Sequence, residues 1–265
     1  MAAVLFLFIV MLAVAVVYSM VGLGGGTTYL PILLASGLQY LAASTVSLFM
    51  IMVASLATAL VFGRKREVDW ALFSAIVLPS IFGAFAGGFI AESVSSLTLK
   101  LLLAMTLLFA FAVMLRPVKE GTILGSMPQW FPWERSRGDY RYRISMGVLL
   151  PTVLLTGFIS GMVGIAGGIF VLPLLVMLFG CPTRIAIGVM SPYVGIAALP
   201  GFLGHIIGGA SFDIWLAIPL GVAVFAGASL GSRLSLRTST FKLRTVLSAI
   251  LLGLALYVLA SVVVG

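Results

Sequence analysis

Gly24, Gly25 and Gly26, followed at once by Thr27 and Thr28, close an apolar run in the stretch VGLGGGTTYLP at 21–31. A helix restarting after Gly26 aims free backbone amides and the positive end of its dipole at whatever precedes it, which is anion-binding chemistry. The pattern returns as VGIAGGIFVLP at 163–173, where Gly167 and Gly168 precede a second restart. Thr27 and Thr28 add hydroxyl donors at the first restart, whereas Ile169 and Phe170 add none at the second. The predicted cradle is therefore asymmetric in its polar contacts. Ser47 and Ser191 recur in register and offer two more hydroxyls, although serine in an apolar helix also serves packing. Arg184 supplies a guanidinium suited to forked oxyanions, or else anchors a helix end.

The acidic residues are Glu67, Asp69, Glu92, Glu120, Glu134, Asp139 and Asp213, and each falls in a loop or at the end of an apolar run. A pathway without buried carboxylates suits an anion and leaves no central acidic proton relay. For proton coupling that leaves His205, whose ordinary pKa suits exchange near neutrality, and the pair Asp69 and Asp213. The plainer reading makes the two aspartates caps of the helices that follow, in DWALF and DIWLA, and His205 an interfacial hydrogen-bonding residue. A single histidine and the lone Cys181 exclude an intrachain disulfide and leave no metal constellation such as HExxH. No cofactor or metal is implied.

These residues must be held by membrane helices. With 62% hydrophobic and 8% charged residues, the chain cannot cover the surface of a water-soluble fold. Apolar runs at about 3–21, 40–62, 70–91, 97–115, 144–165, 185–207, 214–231 and 243–263 have the length needed to cross ~30 Å of hydrocarbon. Runs at about 28–36 and 169–179 are too short. Helix-like lengths argue against an outer-membrane barrel. The first run has no basic residue before it and no cleavage pattern after it, so a removed signal peptide is not expected. The net charge of +8 sits in a few loops at membrane edges and points to topology rather than to nucleic acid.

The chain is a tandem duplication. Val21, Gly22, Gly25, Gly26 and Pro31 match Val163, Gly164, Gly167, Gly168 and Pro173 at an offset of 142. Beyond two inserted residues the offset is 144, pairing Ala42/Ala186, Ser47/Ser191, Asp69/Asp213, Gly83/Gly227 and Gly87/Gly231. Positive charge lies in opposite loops of the halves: GRKRE at 63–67 has no basic counterpart, while SRLSLRTSTFKLR at 232–244 is matched by a stretch whose only basic residue is Lys100. The positive-inside rule then inverts one half against the other. The expected fold is an all-α integral membrane protein with repeats at 1–115 and 144–265. Each repeat has about four full transmembrane helices plus one short broken or re-entrant Gly/Pro-bounded segment. The 116–143 connector is expected in the cytoplasm, with WFPW at 130–133 resting at the interface. A broken crossing is preferred, placing both termini outside.

Paired interrupted segments in inverted halves point to a transporter's binding site near the bilayer midplane. The Gly-x-x-x-Gly pairs at 83–87 and 227–231 read as close helix contacts, within the fold or between two copies in a homodimer. A lipid-phosphate enzyme would need a buried acid cluster, which is missing. A passive anion channel and a scaffold subunit stay open, separated from a carrier by saturable flux.

At the glycine triplet, the proline about five residues on, AASTV at 42–46, AIGVM at 186–190, the loop aspartates and the Gly-x-x-x-Gly pairs, the chain resembles the TauE/SafE, or sulfite exporter, family. Ala166 in place of a glycine and Val189 in place of the expected threonine depart from its pattern. The resemblance implies alternating-access transport, usually outward, of a small sulfur-containing anion of the sulfite, sulfonate or thiosulfate class across a bacterial-type inner membrane. With Cys181 alone, the cysteine relay of thiosulfate-uptake relatives cannot operate. Gly24 to Thr28 with Gly167 and Gly168 form the expected cradle, Ser47 and Ser191 lie near it, and Arg184 stands in the vestibule.

Overall fold

A computed structural model describes residues 2–20, 26–62, 68–115, 130–137, 140–234 and 240–264. Its elements follow the apolar runs closely. The first half contains α1 (Ala2–Ser19), the short α2 (Gly26–Ala35), α3 (Tyr40–Phe62), α4 (Trp70–Ala91) and α5 (Ser96–Leu115). The second contains α6 (Met146–Val163), the short α7 (Gly168–Pro173) continued by a π-helical turn over Leu174–Leu178, α8 (Thr183–Gly208), α9 (Ile214–Leu234) and α10 (Thr240–Val264). Among the described residues, α3, α4, α5, α6, α8 and α9 are each long and apolar enough to cross a membrane. Shorter apolar stretches, Leu5–Ser19 and Ser248–Val262, lie in α1 and α10.

One element was not expected. Residues read as an interfacial loop pair as an antiparallel hairpin, β1 (Pro132–Arg137) with β2 (Tyr140–Ser145), Trp133 opposite Ile144 and Arg135 opposite Tyr142. The strand runs past the connector boundary at 143, and α6 starts only at Met146. The signal was present: Trp133 and Arg135 on one side of Gly138-Asp139, and Tyr140, Tyr142 and Ile144 on the other, alternate with period two around a turn dipeptide.

The hairpin marks one end of the bundle. Asp69, just before α4, bonds to it, and Phe179 and Gly180, just before α8, line a cavity with Tyr142 and Arg135. At the far end, the Tyr40 hydroxyl at the start of α3 reaches the carbonyls of Leu99 (3.1 Å) and Val163 (3.0 Å). α4 packs along α6 in parallel. A Cβ added at Gly83 would strike the Leu154 carbonyl, and one at Gly87 the Phe158 carbonyl. α9 packs along α1 in the same way, Gly227 against the Leu12 carbonyl and Gly231 against that of Val16. The two sets of partners differ by the 144 and 142 residues that relate the sequence repeats. α3 and α8 cross antiparallel, Ser55 facing Gly195 and Leu48 facing Gly201.

These contacts fix directions. α6 leaves the hairpin end, while α1 starts at the far end, so the equivalent helices run oppositely. α2 begins at the bundle centre, where Gly26 presses on Ile51 of α3 and on the Ile165 carbonyl, and it ends near the far end. α7 and its π turn begin where Gly167 and Gly168 meet Tyr193 and Val194 of α8, and they run to the hairpin end. The two short helices therefore start at the centre and diverge, α2 spanning ~15 Å at ~1.5 Å per residue, half a bilayer core. Large exposed side chains such as Phe82, Phe89 and Leu230 lie on the outer helix faces, where lipid would meet them. Exposed Trp70 and Trp215 sit at the first turns of α4 and α9, at opposite ends, as interfacial aromatics do.

Candidate functional site

Three elements converge on the first break. α1 delivers Tyr18 and Ser19 at its last turn, α2 presents Gly26, Thr27, Thr28 and Tyr29 in its first, and α3 contributes Ile51, with Ser47 a turn before it on the same face. Gly26 is required by packing, because an added Cβ would lie 2.5 Å from the Ile165 carbonyl and 2.6 Å from the Ile51 side chain. Tyr18, Thr28 and Tyr29 are each at most 1% exposed. The Tyr18 hydroxyl lies beside those of Thr27 and Thr28, close enough for weak, bent hydrogen bonds among the three. Yet the hydroxyls of Tyr18, Ser19, Thr28, Tyr29, Ser47 and Ser55 make no strict hydrogen bond among the described residues. A buried polar group without a partner costs about 1–3 kcal/mol, so a concentration of them asks for a ligand or water.

At the second break several described hydroxyls are paired. Gly164 ends α6 at φ +89° against Ser44, and Ala166 holds φ +53°, a left-handed conformation that suits glycine. Ser160 donates to the Gly157 carbonyl at 3.0 Å, and the hydroxyls of Ser80 and Tyr193 bond at 2.8 Å. Phe170 stacks on Phe109 of α5. Among the described residues, the hydroxyls of Tyr18, Thr28 and Tyr29 at the first break make no strict hydrogen bond, while those of Ser160, Ser80 and Tyr193 at the second are paired.

The other predicted residues fall as follows. Gly24 and Gly25 lie outside the described residues, as do the side chains of Arg184 and Ser191; the backbone of Arg184 is in the first turn of α8, at the hairpin end. Gly167 and Gly168 pack against Tyr193, Ser160 and Val194. His205 is buried in the last turn of α8 with Nε2 2.9 Å from the Gly161 carbonyl and Nδ1 unpartnered among the described residues. A carbonyl only accepts, so the neutral ring carries its proton on Nε2. Asp69 caps α4 through the amides of Ala71 and Leu72, and Asp213 caps α9 through those of Trp215 and Leu216.

Asp69 also ties the hairpin down. Arg135 donates to its carboxylate at 2.7 Å and Tyr142 at 2.7 Å, with the Arg135 guanidinium resting over the Trp133 ring. Burial alone would raise the Asp69 pKa, but the bonds from Arg135, Tyr142 and the Leu72 amide, with the Arg135 charge, outweigh it and hold the carboxyl below its ordinary value. No group of three metal-ligating side chains occurs among the described residues.

The sequence reading missed Tyr18, Ser19 and Tyr29. Their signal was position: polar atoms within a few residues of each side of the glycine break.

A family model described as sulfite exporter TauE/SafE matches residues 7–258. The chain is 26% identical over 269 residues to a probable membrane transporter protein of Methanocaldococcus jannaschii, covering 96% of this chain and 94% of that one. It is 24% identical over 236 residues to the probable membrane transporter protein YunE of Bacillus subtilis, covering 84% of this chain and 85% of that one. No solved structure matches it with significance.

Proposed function

The chain belongs to the sulfite exporter TauE/SafE family and is a membrane transporter of that type; from this we propose that it is a secondary transporter carrying a small sulfur oxyanion outward by alternating access. The observation that carries the site assignment is the divergence of α2 and α7 from one central region, with unpartnered buried hydroxyls of Tyr18, Thr28, Tyr29 and Ser47 around the first restart. Helix N-terminal amides and hydroxyls are donors without acceptors there, and an oxyanion is an acceptor without donors. We assign Gly24 to Thr28 and Gly167 to Gly168 as the cradle, with Ser47 and Ser191 beside it and Arg184 at the hairpin-end mouth.

The opposed directions of α1 and α6, and the equivalent contacts of α4 with α6 and of α9 with α1, support an inverted pair of repeats rocking about the breaks. Lys and Arg set the orientation. The segments joining helices at the hairpin end, together with the helix turns that flank them, carry every one of them except Lys100. On our reading that end is cytoplasmic and both termini lie outside in an inner-membrane-type bilayer. Coupling to protons, if used, falls to His205 or Asp213, because Asp69 is committed to its cap and to Arg135.

Reconstitution into vesicles tests the assignment. Saturable efflux of sulfite or a short sulfonate, abolished by Gly25→Leu with the protein still folded, is the expected outcome. Linear, non-saturable flux would replace the carrier with a channel, and no flux of any sulfur anion would sink the substrate class.

A further inference from the structure

The elements that form the first break, with α6 behind it, bring donors but no charged side chain. No Lys, Arg, His, Asp or Glu occurs between Met1 and Gly63, the whole of α1, α2 and α3, or between Ile144 and Thr183, which carries α6 and the second break. What remains is neutral: the hydroxyls of Tyr18, Thr28 and Tyr29, each at most 1% exposed and without a partner among the described residues, at the first turn of the ten-residue α2.

A neutral, dipolar site treats ionic charge unevenly. The attraction of hydroxyl and amide dipoles for an anion grows in proportion to its charge, whereas the cost of stripping its water grows with the square of that charge. Doubling the charge doubles the gain and quadruples the cost. A second charge is carried most easily by a guanidinium or ammonium in the site, and the sequence brings none to these elements. Building on the anion-site reading above, we propose that the site selects singly charged sulfur oxyanions, hydrogensulfite or an alkanesulfonate, over the doubly charged sulfite and sulfate ions.

The sulfite pair makes the rule measurable, since hydrogensulfite loses its proton near neutral pH while methanesulfonate stays singly charged throughout. Calorimetric titration of the purified full chain with methanesulfonate, sulfite and sulfate, at mildly acidic and mildly alkaline pH, reads it directly. Methanesulfonate should bind equally at both pH values, total sulfite should bind several-fold more weakly on the alkaline side, and sulfate should not bind. Tighter sulfite binding at alkaline pH, or sulfate binding as well as methanesulfonate, would overturn the charge rule while leaving an anion transporter. Absence of binding by all three would remove both.

Thr28→Val gives an independent readout. Replacing this buried hydroxyl by its apolar isostere should cost the ligand-free protein little, yet should weaken methanesulfonate about tenfold, the loss of one hydrogen bond to a charged group. Unchanged affinity in that variant would take Thr28, and with it the neutral-donor site, out of recognition.

Discussion

Ala166 stands at φ +53°, where a side chain crowds the backbone, at the position where the first half has Gly24. A non-glycine residue held in the left-handed region costs roughly 1–2 kcal/mol, and a glycine there gives back part of that in greater freedom of the unfolded chain. Ala166→Gly should therefore stabilise the protein by up to about 1 kcal/mol, visible as a higher melting temperature; an unchanged or lower one would mean that the strain is relieved elsewhere. The same residue scale explains what sequence reading caught and missed. Thr27 and Thr28 were legible because a hydroxyl beside a glycine run is conspicuous in an apolar chain. Tyr18 and Tyr29 were not, because tyrosine counts as hydrophobic in composition and only burial without a partner reveals its hydroxyl as chemistry.

At the scale of elements, the ten helices were largely legible, since apolar runs of fixed length bounded by charge or glycine leave little else in a bilayer. The hairpin was not, because its aromatic and basic residues also suit a membrane-edge loop and its anchor, Asp69, lies 66 residues from Arg135 in sequence. That anchor does two jobs which substitution can separate. Asp69→Asn keeps a helix-capping side chain but loses the ionic bond, and Asp69→Ala loses both, the cap alone being worth about 1 kcal/mol. Hydrogen exchange in 132–145 should rise in both variants, and exchange at the start of α4 only in the alanine variant. Because the folded Asp69 pKa lies below its unfolded value, its contribution is present at neutral pH and is lost as pH falls through the folded value. Exchange protection of the hairpin should accordingly collapse in acid before that of the helix cores. The glycine contacts make a harsher prediction. Gly87→Val drives a side chain into the Phe158 backbone and should leave no folded protein, whereas Gly253→Ala, with no atom within 4 Å of the new methyl, should be neutral by thermal melt.

At the scale of the whole molecule, the two halves pack on each other through equivalent glycine contacts. Gly83 and Gly87 seat α4 on Leu154 and Phe158 of α6, and Gly227 and Gly231 seat α9 on Leu12 and Val16 of α1, so each helix hairpin of one half is clamped to the broken helix pair of the other. On the proposed alternating-access reading, a motion that tilts one clamp is available, by the same contacts, to the other, and the two together would expose one central site to alternate faces. Such a motion requires the hairpin end and the termini to lie on opposite sides of the membrane. In a Cys181→Ser background, a cysteine at Ser136 should be sealed from a membrane-impermeant maleimide in intact cells, and one at the far-end turn, at Gly37, should react. Gly37 is exposed at φ +91° with nothing within 4 Å of an added Cβ, so cysteine there costs local strain but meets no neighbour. Reaction of the Ser136 position from outside would reverse the orientation and, with it, the direction assigned to Arg184 and the cytoplasmic mouth, while leaving the central anion site as argued. Reaction of both positions from one side would break the inversion itself, because no arrangement of the clamped halves puts the hairpin and Gly37 at the same end.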